Sequence, residues 1–132
     1  MKSRIMGILT MLFSLIGCNA QSEGFKSLSV EEYAKAIEDT TIVRLDVRTA
    51  EEYADGHIEK TLNIDVLKSD FEQRAVAELP KDKTIAINCR SGKRSKNAAR
   101  ILVKNGYKVI ELDSGFNGWT SKGMPVSKGD KE

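Results

Sequence analysis

The chain has 132 residues, which suffices for one domain with a hydrophobic core and is too short for two ordinary domains. Hydrophobic residues make up 40% of the chain and charged residues 30%, a globular composition that excludes disordered and membrane-spanning classes. The 21 basic residues include Lys2 and Arg4 of a predicted leader, so the mature chain would carry 19 basic and 19 acidic residues. This balance gives no electrostatic reason to expect nucleic acid as a partner.

The leader is predicted to be a signal peptide over residues 1–17. A short basic start precedes a mostly apolar run of 12 residues, 5–16, which is shorter than the roughly 20 residues of a membrane-spanning helix. The run ends in Leu15-Ile16-Gly17-Cys18, which resembles a bacterial lipoprotein box, so we expect Cys18 to be lipidated. The lipid would anchor the protein to a membrane of the bacterial cell envelope, with the domain facing the periplasm. An ordinary secretory signal, cleaved near Asn19, is the alternative.

Lipidation of Cys18 would leave Cys89 as the free thiol, because the chain contains two cysteines. Residues 18–28 would then be the lipidated cysteine and a tether. A lone thiol in an oxidising compartment is either buried and inert or retained for its reactivity. Because a polar, cationic loop follows Cys89, the sequence predicts an accessible and reactive thiol.

Helices and strands alternate in the predicted domain, residues 29–126. A serine or threonine three residues before a glutamate is a capping-box pattern that predicts the start of a helix. Three such helices are predicted, Ser29 to about Asp39, Thr49 to Gly56 and Ser69 to Leu79. Runs rich in β-branched and apolar residues predict strands. The predicted strands are residues 41–47, 62–64, 84–88 and 107–112.

Two further helices complete the prediction, one from Lys96 to Gly106 and a short one near Trp119. Strands separated by helices predict an α/β fold in which helices cover both faces of a parallel sheet. Ligands of such sheets bind beyond the carboxyl ends of the strands, and Cys89 directly follows the predicted strand 84–88. The polar residues 127–132 are predicted to be a frayed tail.

Cys89 opens the segment Cys89-Arg90-Ser91-Gly92-Lys93-Arg94-Ser95, the best candidate for chemistry in the chain. Gly92 lets the loop curl, so that the backbone N–H groups of residues 90–95 can converge on the sulfur. The N-terminus of the next helix and three cations act in the same direction and favour a thiolate at neutral pH. The same groups would bind an anionic substrate. The alternative is an ordinary strand-to-helix turn with solvated cations.

Four motifs follow one another along the chain. They are Leu45-Asp46-Val47-Arg48, Glu52-Tyr53 with Gly56-His57-Ile58, the cysteine loop, and Gly115-Phe116-Asn117-Gly118-Trp119. Together they resemble a single-domain rhodanese over the whole predicted domain. The resemblance implies a rhodanese-like α/β fold with a five-stranded parallel sheet and helices on both faces. It also implies a sulfurtransferase of the thiosulfate type that needs no metal and no organic cofactor.

In such an enzyme, Cys89 would attack the outer sulfur of thiosulfate or a similar small anionic donor and release sulfite. The resulting persulfide would pass its sulfur to cyanide, a thiol or a protein acceptor. The resemblance assigns binding of the donor to the loop residues, which are Arg90, Ser91, Gly92, Lys93, Arg94 and Ser95. We expect the domain to act as a monomer.

The resemblance also concerns residues outside the loop. Asp46 and Arg48 stand where the family places polar residues near the active loop, and we expect them to be supporting residues with Arg48 paired to Glu52. His57 is the only histidine and is expected to pack or hydrogen-bond within its own turn. Trp119 is expected to be a core or rim aromatic residue.

One turn departs from the family pattern. The family usually reads Gly-His-Ile-Pro-Gly-Ala, whereas this chain has Glu59-Lys60-Thr61 at the last three positions. The absence of the proline and glycine is expected to alter this turn without affecting the thiol.

Two other functions fit parts of the pattern. Phosphatases of related fold need an arginine six residues after the cysteine, but that position is Ser95, and Arg94 comes one residue early. This spacing disfavours a phosphatase. The second alternative is a non-catalytic binding or redox-sensing module of the cell envelope, although the intact cysteine and basic loop favour the enzyme.

Overall fold

The structure is a computed structural model that describes residues 23–129. Five strands and five helices alternate along these residues. The strands are β1 (Phe25–Leu28), β2 (Val43–Asp46), β3 (Thr61–Asn63), β4 (Thr84–Asn88) and β5 (Lys108–Leu112). The helices are α1 (Val30–Ala36), α2 (Ala50–Asp55), α3 (Phe71–Glu78), α4 (Lys93–Lys104) and α5 (Gly115–Ser121). The predicted signal peptide and Cys18 lie outside the described residues.

The five strands form one parallel sheet in the order β1–β5–β4–β2–β3. Successive side chains of a strand point to opposite faces, and in β4 both faces are buried. Ile85 and Ile87 pack in the core that α3 and α4 cover, whereas Ala86 packs in the core beneath α1 and α5. This arrangement confirms the predicted parallel sheet with helices on both faces.

The predicted helix starts are correct at two capping boxes and wrong at the third. Ser29 and Thr49 each form the complete pair of capping hydrogen bonds with the glutamate three residues later. Ser69 caps no helix, because α3 begins only at Phe71, whose N–H donates to the carbonyl of Lys68 in the preceding turn. No helix within residues 23–129 is long and apolar enough to span a membrane.

The folded domain extends beyond the boundaries predicted from the sequence. β1 lies in the segment 18–28 that was assigned to a tether, and all four of its residues pair with β5. Ser127 was expected to begin a frayed tail, but it exchanges backbone hydrogen bonds of 2.8 and 2.9 Å with His57. Gly129 N–H then donates to the carbonyl of Ala54 at 3.0 Å. Strand pairing and main-chain hydrogen bonds thus reach from Phe25 to Gly129, beyond the predicted bounds 29–126.

Candidate active site at the cysteine loop

The cysteine loop starts at the carboxyl end of β4 and passes directly into α4. The helix begins at Lys93, three residues earlier than predicted, so that Lys93, Arg94 and Ser95 form its first turn. Gly92 precedes the helix with φ +100°, and its N–H donates to Cys89 Sγ at 3.1 Å. A Cβ at this position would lie 2.0 Å from the carbonyl oxygen of Asp113. Only glycine fits this place, because the close approach and the positive φ both exclude a side chain.

The N-terminus of α5 supports the loop from the other side. Phe116 N–H donates to the carbonyl of Cys89 at 2.8 Å, and Asn117 N–H donates to that of Arg90 at 3.0 Å. Gly115 has φ +65°, and a Cβ there would lie 2.4 Å from the Arg90 carbonyl oxygen. The fourth sequence motif therefore fixes the backbone of the cysteine loop.

The thiol itself is buried, which contradicts the prediction of an accessible cysteine. Cys89 is 0% exposed and belongs to the core on the α4 side of the sheet, together with Ile87 and Ala98. The sulfur lies inside the curled loop, between the Gly92 amide and the Ser95 hydroxyl, whereas the polar side chains Arg90 and Ser91 point outward to solvent. A reagent can reach the sulfur only after the groups that cover it have moved.

Glu52 from the first turn of α2 binds the arginines of the loop. Arg94 Nη1 and Nη2 donate to the two Glu52 carboxylate oxygens at 2.8 and 3.0 Å, and Arg90 Nη1 lies 3.8 Å from Oε2. The hydrogen bond with Arg94 lowers the pKa of Glu52 to about 2 and raises the pKa of Arg94. Lys93 is exposed and has no ion pair within residues 23–129. Of the three cations in this loop, Arg94 is paired with Glu52 and Arg90 is only distantly paired with it. The positive charges of Lys93 and, in part, of Arg90 are therefore not neutralised by a carboxylate.

Asp46 and Arg48 form a buried ion pair with each other. Arg48 Nη2 donates to Asp46 Oδ2 at 2.7 Å and to the carbonyl of Gly56 at 2.7 Å. Its guanidinium carbon lies 4.3 Å from the centre of the Phe116 ring. The predicted pairing of Arg48 with Glu52 is wrong, because Arg48 precedes the helix and points back to the end of β2. The pair connects the end of β2, the turn after α2 and the α5 segment that supports the loop.

A comparison with known families agrees with this architecture. Residues 29–122 match the family model described as rhodanese-like domain, which is most of the chain. The chain belongs to the rhodanese-like family.

Three similar proteins are matched over nearly their full lengths. A sulfurtransferase from Allochromatium vinosum is 35% identical over 98 residues, 73% of this chain and 89% of the relative. Thiosulfate sulfurtransferase GlpE from Actinobacillus pleuropneumoniae is 27% identical over 106 residues, 80% of this chain and 95% of the relative. The crystal structure of a rhodanese-related protein from Thermoplasma volcanium matches with a TM-score of 0.68 at 27% identity, covering 77% of this chain and 97% of that one.

The two aromatic positions of the rhodanese-like domain behave as predicted. His57 is fully buried, stacks on Tyr53 at a ring distance of 3.8 Å and places Nδ1 2.8 Å from the Tyr53 carbonyl oxygen. Trp119 is buried against Tyr33, and its indole N–H donates to the carbonyl of Pro125 at 2.8 Å. His57 therefore hydrogen-bonds within its own turn, and Trp119 packs as a core aromatic residue.

Sequence reasoning missed one polar residue beside the thiol, Glu111. This carboxylate is fully buried on β5 and accepts a hydrogen bond from the Ser95 hydroxyl at 2.5 Å. A signal was present, since Glu111 lies among the apolar residues Val109, Ile110 and Leu112 in a strand of a parallel sheet, where both faces are buried. Such a residue needs polar partners, and one of them is Ser95 of the cysteine loop.

A cavity of about 270 Å³ opens beside the loop of the rhodanese-like domain. Its walls combine cationic, acidic and aromatic side chains. They are Arg48, Glu52, Asp55, Gly56, Arg90, Phe116, Asn117 and Thr120. A larger cavity of about 430 Å³ lies near Gly24 and Tyr107 and contains no residue of the cysteine loop. Within residues 23–129 no group of three or more histidine, cysteine, aspartate or glutamate residues is arranged to hold a metal ion.

Proposed function

We propose that this rhodanese-like domain is a sulfurtransferase in which Cys89 carries the transferred sulfur as a persulfide. The observation that carries the proposal is the hydrogen bond from Gly92 N–H to Cys89 Sγ in a loop that also holds two arginines. A backbone N–H directed at the sulfur stabilises a thiolate or a terminal persulfide anion more than a neutral thiol. The names of two relatives, a sulfurtransferase and a thiosulfate sulfurtransferase, support the same class of reaction.

The transfer consists of two displacements at sulfur. The Cys89 thiolate attacks the outer sulfur of thiosulfate, and the new S–S bond forms as the bond to the sulfite group breaks. Sulfite leaves with the electron pair of that bond, and the outer sulfur stays on Cys89 as a persulfide. An acceptor thiolate or cyanide then attacks this outer sulfur, and Cys89 leaves as a thiolate. Neither displacement consumes an external oxidant or reductant.

The burial of the sulfur adds one requirement to this reaction. Because Cys89 is fully buried, the groups that cover the sulfur must move before the donor reaches the thiolate. The cavity beside the loop is lined by Arg90 and Glu52, and the ion pair between Glu52 and Arg94 adjoins it. An anion that enters this cavity competes with the Glu52 carboxylate for the arginines. Opening of this ion pair therefore accompanies binding of the donor.

Mass spectrometry after incubation with thiosulfate tests the proposal. We expect the peptide that contains Cys89 to gain the mass of one sulfur atom and to lose it on addition of cyanide. The Cys89→Ser variant is the control and should gain nothing. If no adduct forms while iodoacetamide still alkylates Cys89, the thiol is reachable but does not transfer sulfur, and the proposed activity is wrong.

The full burial of Cys89 favours one alternative, a non-catalytic binding or redox-sensing module. Buried thiols are inert unless the structure opens, whereas a sulfurtransferase must admit a donor at each turnover. The same experiment separates the two functions. A binding module would bind its partner equally tightly in the wild type and in Cys89→Ser. A redox sensor would react with peroxide but not with thiosulfate.

We further propose that the protein is attached to a membrane of the bacterial cell envelope through a lipid on Cys18, with the domain facing the periplasm. The support is the sequence Leu15-Ile16-Gly17-Cys18 after an apolar run. Labelling of the protein in a bacterial host with radioactive palmitate should mark the wild type and not Cys18→Ala. Equal labelling of the two proteins, or recovery of the wild type in the soluble periplasmic fraction, would contradict this proposal.

A further inference from the structure

Glu111 is a buried acid next to the cysteine that the proposed transfer does not use. It lies in β5 and is 0% exposed. Its Oε1 accepts a hydrogen bond from the Ser27 hydroxyl at 2.6 Å, and its Oε2 accepts one from the Ser95 hydroxyl at 2.5 Å. Both carboxylate oxygens thus accept a hydrogen bond from a serine hydroxyl inside the protein.

Ser95 connects this carboxylate to the thiol. Cys89 Sγ lies 3.4 Å from Ser95 Oγ, so the sulfur, the hydroxyl and the Glu111 carboxylate form one hydrogen-bonded chain. All three residues are fully buried. A proton that moves along this chain does not have to enter or leave through solvent.

The two hydrogen bonds of this chain hold two protons. In one state the Cys89 thiol donates to Ser95 Oγ, and the Ser95 hydroxyl donates to a charged Glu111. In the other state Cys89 is ionised, the Ser95 hydroxyl donates to the sulfur, and a neutral Glu111 donates to Ser95 Oγ. If Cys89 and Glu111 were ionised together, one contact would lack a proton and two negative charges would share a buried site.

The charged groups around Glu111 are compatible with each of the two states. Lys96 Nζ lies 3.3 Å from Glu111 Oε2 and 2.9 Å from Asp113 Oδ1, so it keeps a carboxylate partner when Glu111 is neutral. Burial opposes the charge of Lys96, but hydrogen bonds to Asp113 and Glu111 outweigh it and raise its pKa. Burial raises the pKa of Tyr33, which senses the charges of Asp46 and Glu111, so Tyr33 stays neutral.

We propose that Glu111 is the internal proton acceptor of Cys89 and acts through Ser95. The thiol proton moves to Ser95 Oγ while the Ser95 proton moves to Glu111 Oε2, and the sulfur keeps the electron pair of the broken S–H bond. That pair forms the bond to the outer sulfur of the donor. When the acceptor removes this sulfur, the protons return along the same path. The inference rests on the proposed function, since it supplies the thiolate for that transfer.

Alkylation of Cys89 by iodoacetamide tests this assignment. The alkylation rate is measured by mass spectrometry from about pH 5 to 9. While the chain holds two protons, the thiolate fraction is fixed, so the wild-type rate falls to a pH-independent plateau below neutrality. In Glu111→Gln the amide cannot accept the proton, and the rate should fall about tenfold per pH unit without a plateau. Because iodoacetamide needs no sulfur donor, a failure of this proposal is distinguishable from a failure of sulfur transfer.

Two further variants control the experiment. Ser27→Ala removes the other hydrogen bond to Glu111 but leaves the chain intact, so it should keep the plateau. Ser95→Ala interrupts the chain and should lose the plateau, which decides the matter even if Glu111→Gln does not fold. A wild-type profile without a plateau would overturn the proposal, and so would a plateau that survives in Ser95→Ala or in a folded Glu111→Gln.

Discussion

At the scale of single residues, the charge near Cys89 depends on Glu52 as well as on the cations of the loop. Arg94 gives two N–H groups to the Glu52 carboxylate, and Arg90 lies 3.8 Å from it. Guanidinium binds oxyanions through the same pair of N–H groups that Glu52 occupies here. A donor such as thiosulfate therefore competes with a carboxylate that belongs to the protein.

Removal of this carboxylate charge should improve the use of thiosulfate. In Glu52→Gln the side chain can still accept a hydrogen bond from the Thr49 N–H and complete the capping box. The neutral amide no longer forms an ion pair with Arg94. We expect kcat/KM for thiosulfate to rise about threefold or more, the effect of weakening a partly exposed ion pair. Glu51→Gln, one residue earlier on α2, makes the same charge change and should have no such effect. An equal or lower kcat/KM in Glu52→Gln than in Glu51→Gln would contradict this.

The two cations on the first turn of α4 should contribute unequally to donor binding. Arg94→Ala removes a bidentate anion partner and leaves the Glu52 charge with only Arg90, 3.8 Å away, whereas Lys93 is an exposed point charge. We expect kcat/KM for thiosulfate to fall about tenfold to a hundredfold in Arg94→Ala and about twofold in Lys93→Ala. Steady-state kinetics of the two variants measure the difference. Equal losses would mean that only the net charge of the loop matters.

The parts of the site that are local in the chain could be predicted from the sequence, and the parts that join distant segments could not. Cys89, Gly92 and the cations adjoin one another in the chain, so a strand end followed by a helix places them together. Arg48 and Glu52 have helical i, i+4 spacing, but Arg48 precedes the N-cap residue Thr49, so the spacing rule does not apply to them. The true partner of Glu52 is 42 residues away. The burial of Cys89 depends on packing that no local pattern reports.

At the scale of elements, the turn between α2 and β3 shows the cost of departing from the family pattern. Lys60 has φ +61° and is the one non-glycine residue with positive φ within residues 23–129. It stands where the family usually has glycine. An L-residue in the left-handed region loses roughly 1 to 2 kcal/mol relative to its favoured conformations. The missing glycine therefore destabilises this turn.

Restoring the glycine should stabilise the protein. We expect Lys60→Gly to raise the free energy of unfolding by about 1 kcal/mol, since relief of the backbone strain exceeds the entropy that glycine gains in the unfolded chain. Urea denaturation measures the change. Glu59→Gly is the matched control. Glu59 is the residue before Lys60 and has no positive φ, so this variant should not gain stability. A decrease of stability in Lys60→Gly would show that its side-chain contacts outweigh the strain.

The ion pair between Glu52 and Arg94 also connects α2 to α4, and it makes the stability of this connection dependent on pH. The pKa of Glu52 is lowered from 4.5 to about 2, chiefly by its hydrogen bond with Arg94. A lowered carboxyl pKa stabilises the fold above pH 4.5, and this stabilisation is lost as the pH falls from 4.5 to 2. The stability advantage of wild type over Glu52→Gln should therefore shrink across this interval in acid denaturation. A constant advantage from neutral pH to pH 2 would contradict the lowered pKa.

At the scale of the whole molecule, both ends of the domain were missed because main-chain hydrogen bonds, which side-chain patterns do not report, help to attach them. β1 has only four residues, two of them the polar Lys26 and Ser27, so its sequence resembles a tether. It becomes a strand because β5 offers an unpaired edge, and all four residues pair with it. Ser127 likewise has no apolar pattern, yet it pairs with His57. Sequence patterns predict buried side chains, whereas main-chain hydrogen bonds hold Ser127 and add to the packing of Phe25 in β1.

Truncation of the C-terminus tests this view of the domain boundary. A chain that ends at Val126 loses the two hydrogen bonds between His57 and Ser127 and the one from Gly129 to Ala54. We expect its free energy of unfolding to fall by about 2 kcal/mol, at roughly 0.5 to 1.5 kcal/mol for each hydrogen bond. The His57 amide should also exchange faster with solvent deuterium, because its acceptor has been removed. A chain that ends at Gly129 keeps all three bonds and should be more stable than the chain that ends at Val126. Equal stability of the two truncated chains would show that these residues form the frayed tail predicted from their composition.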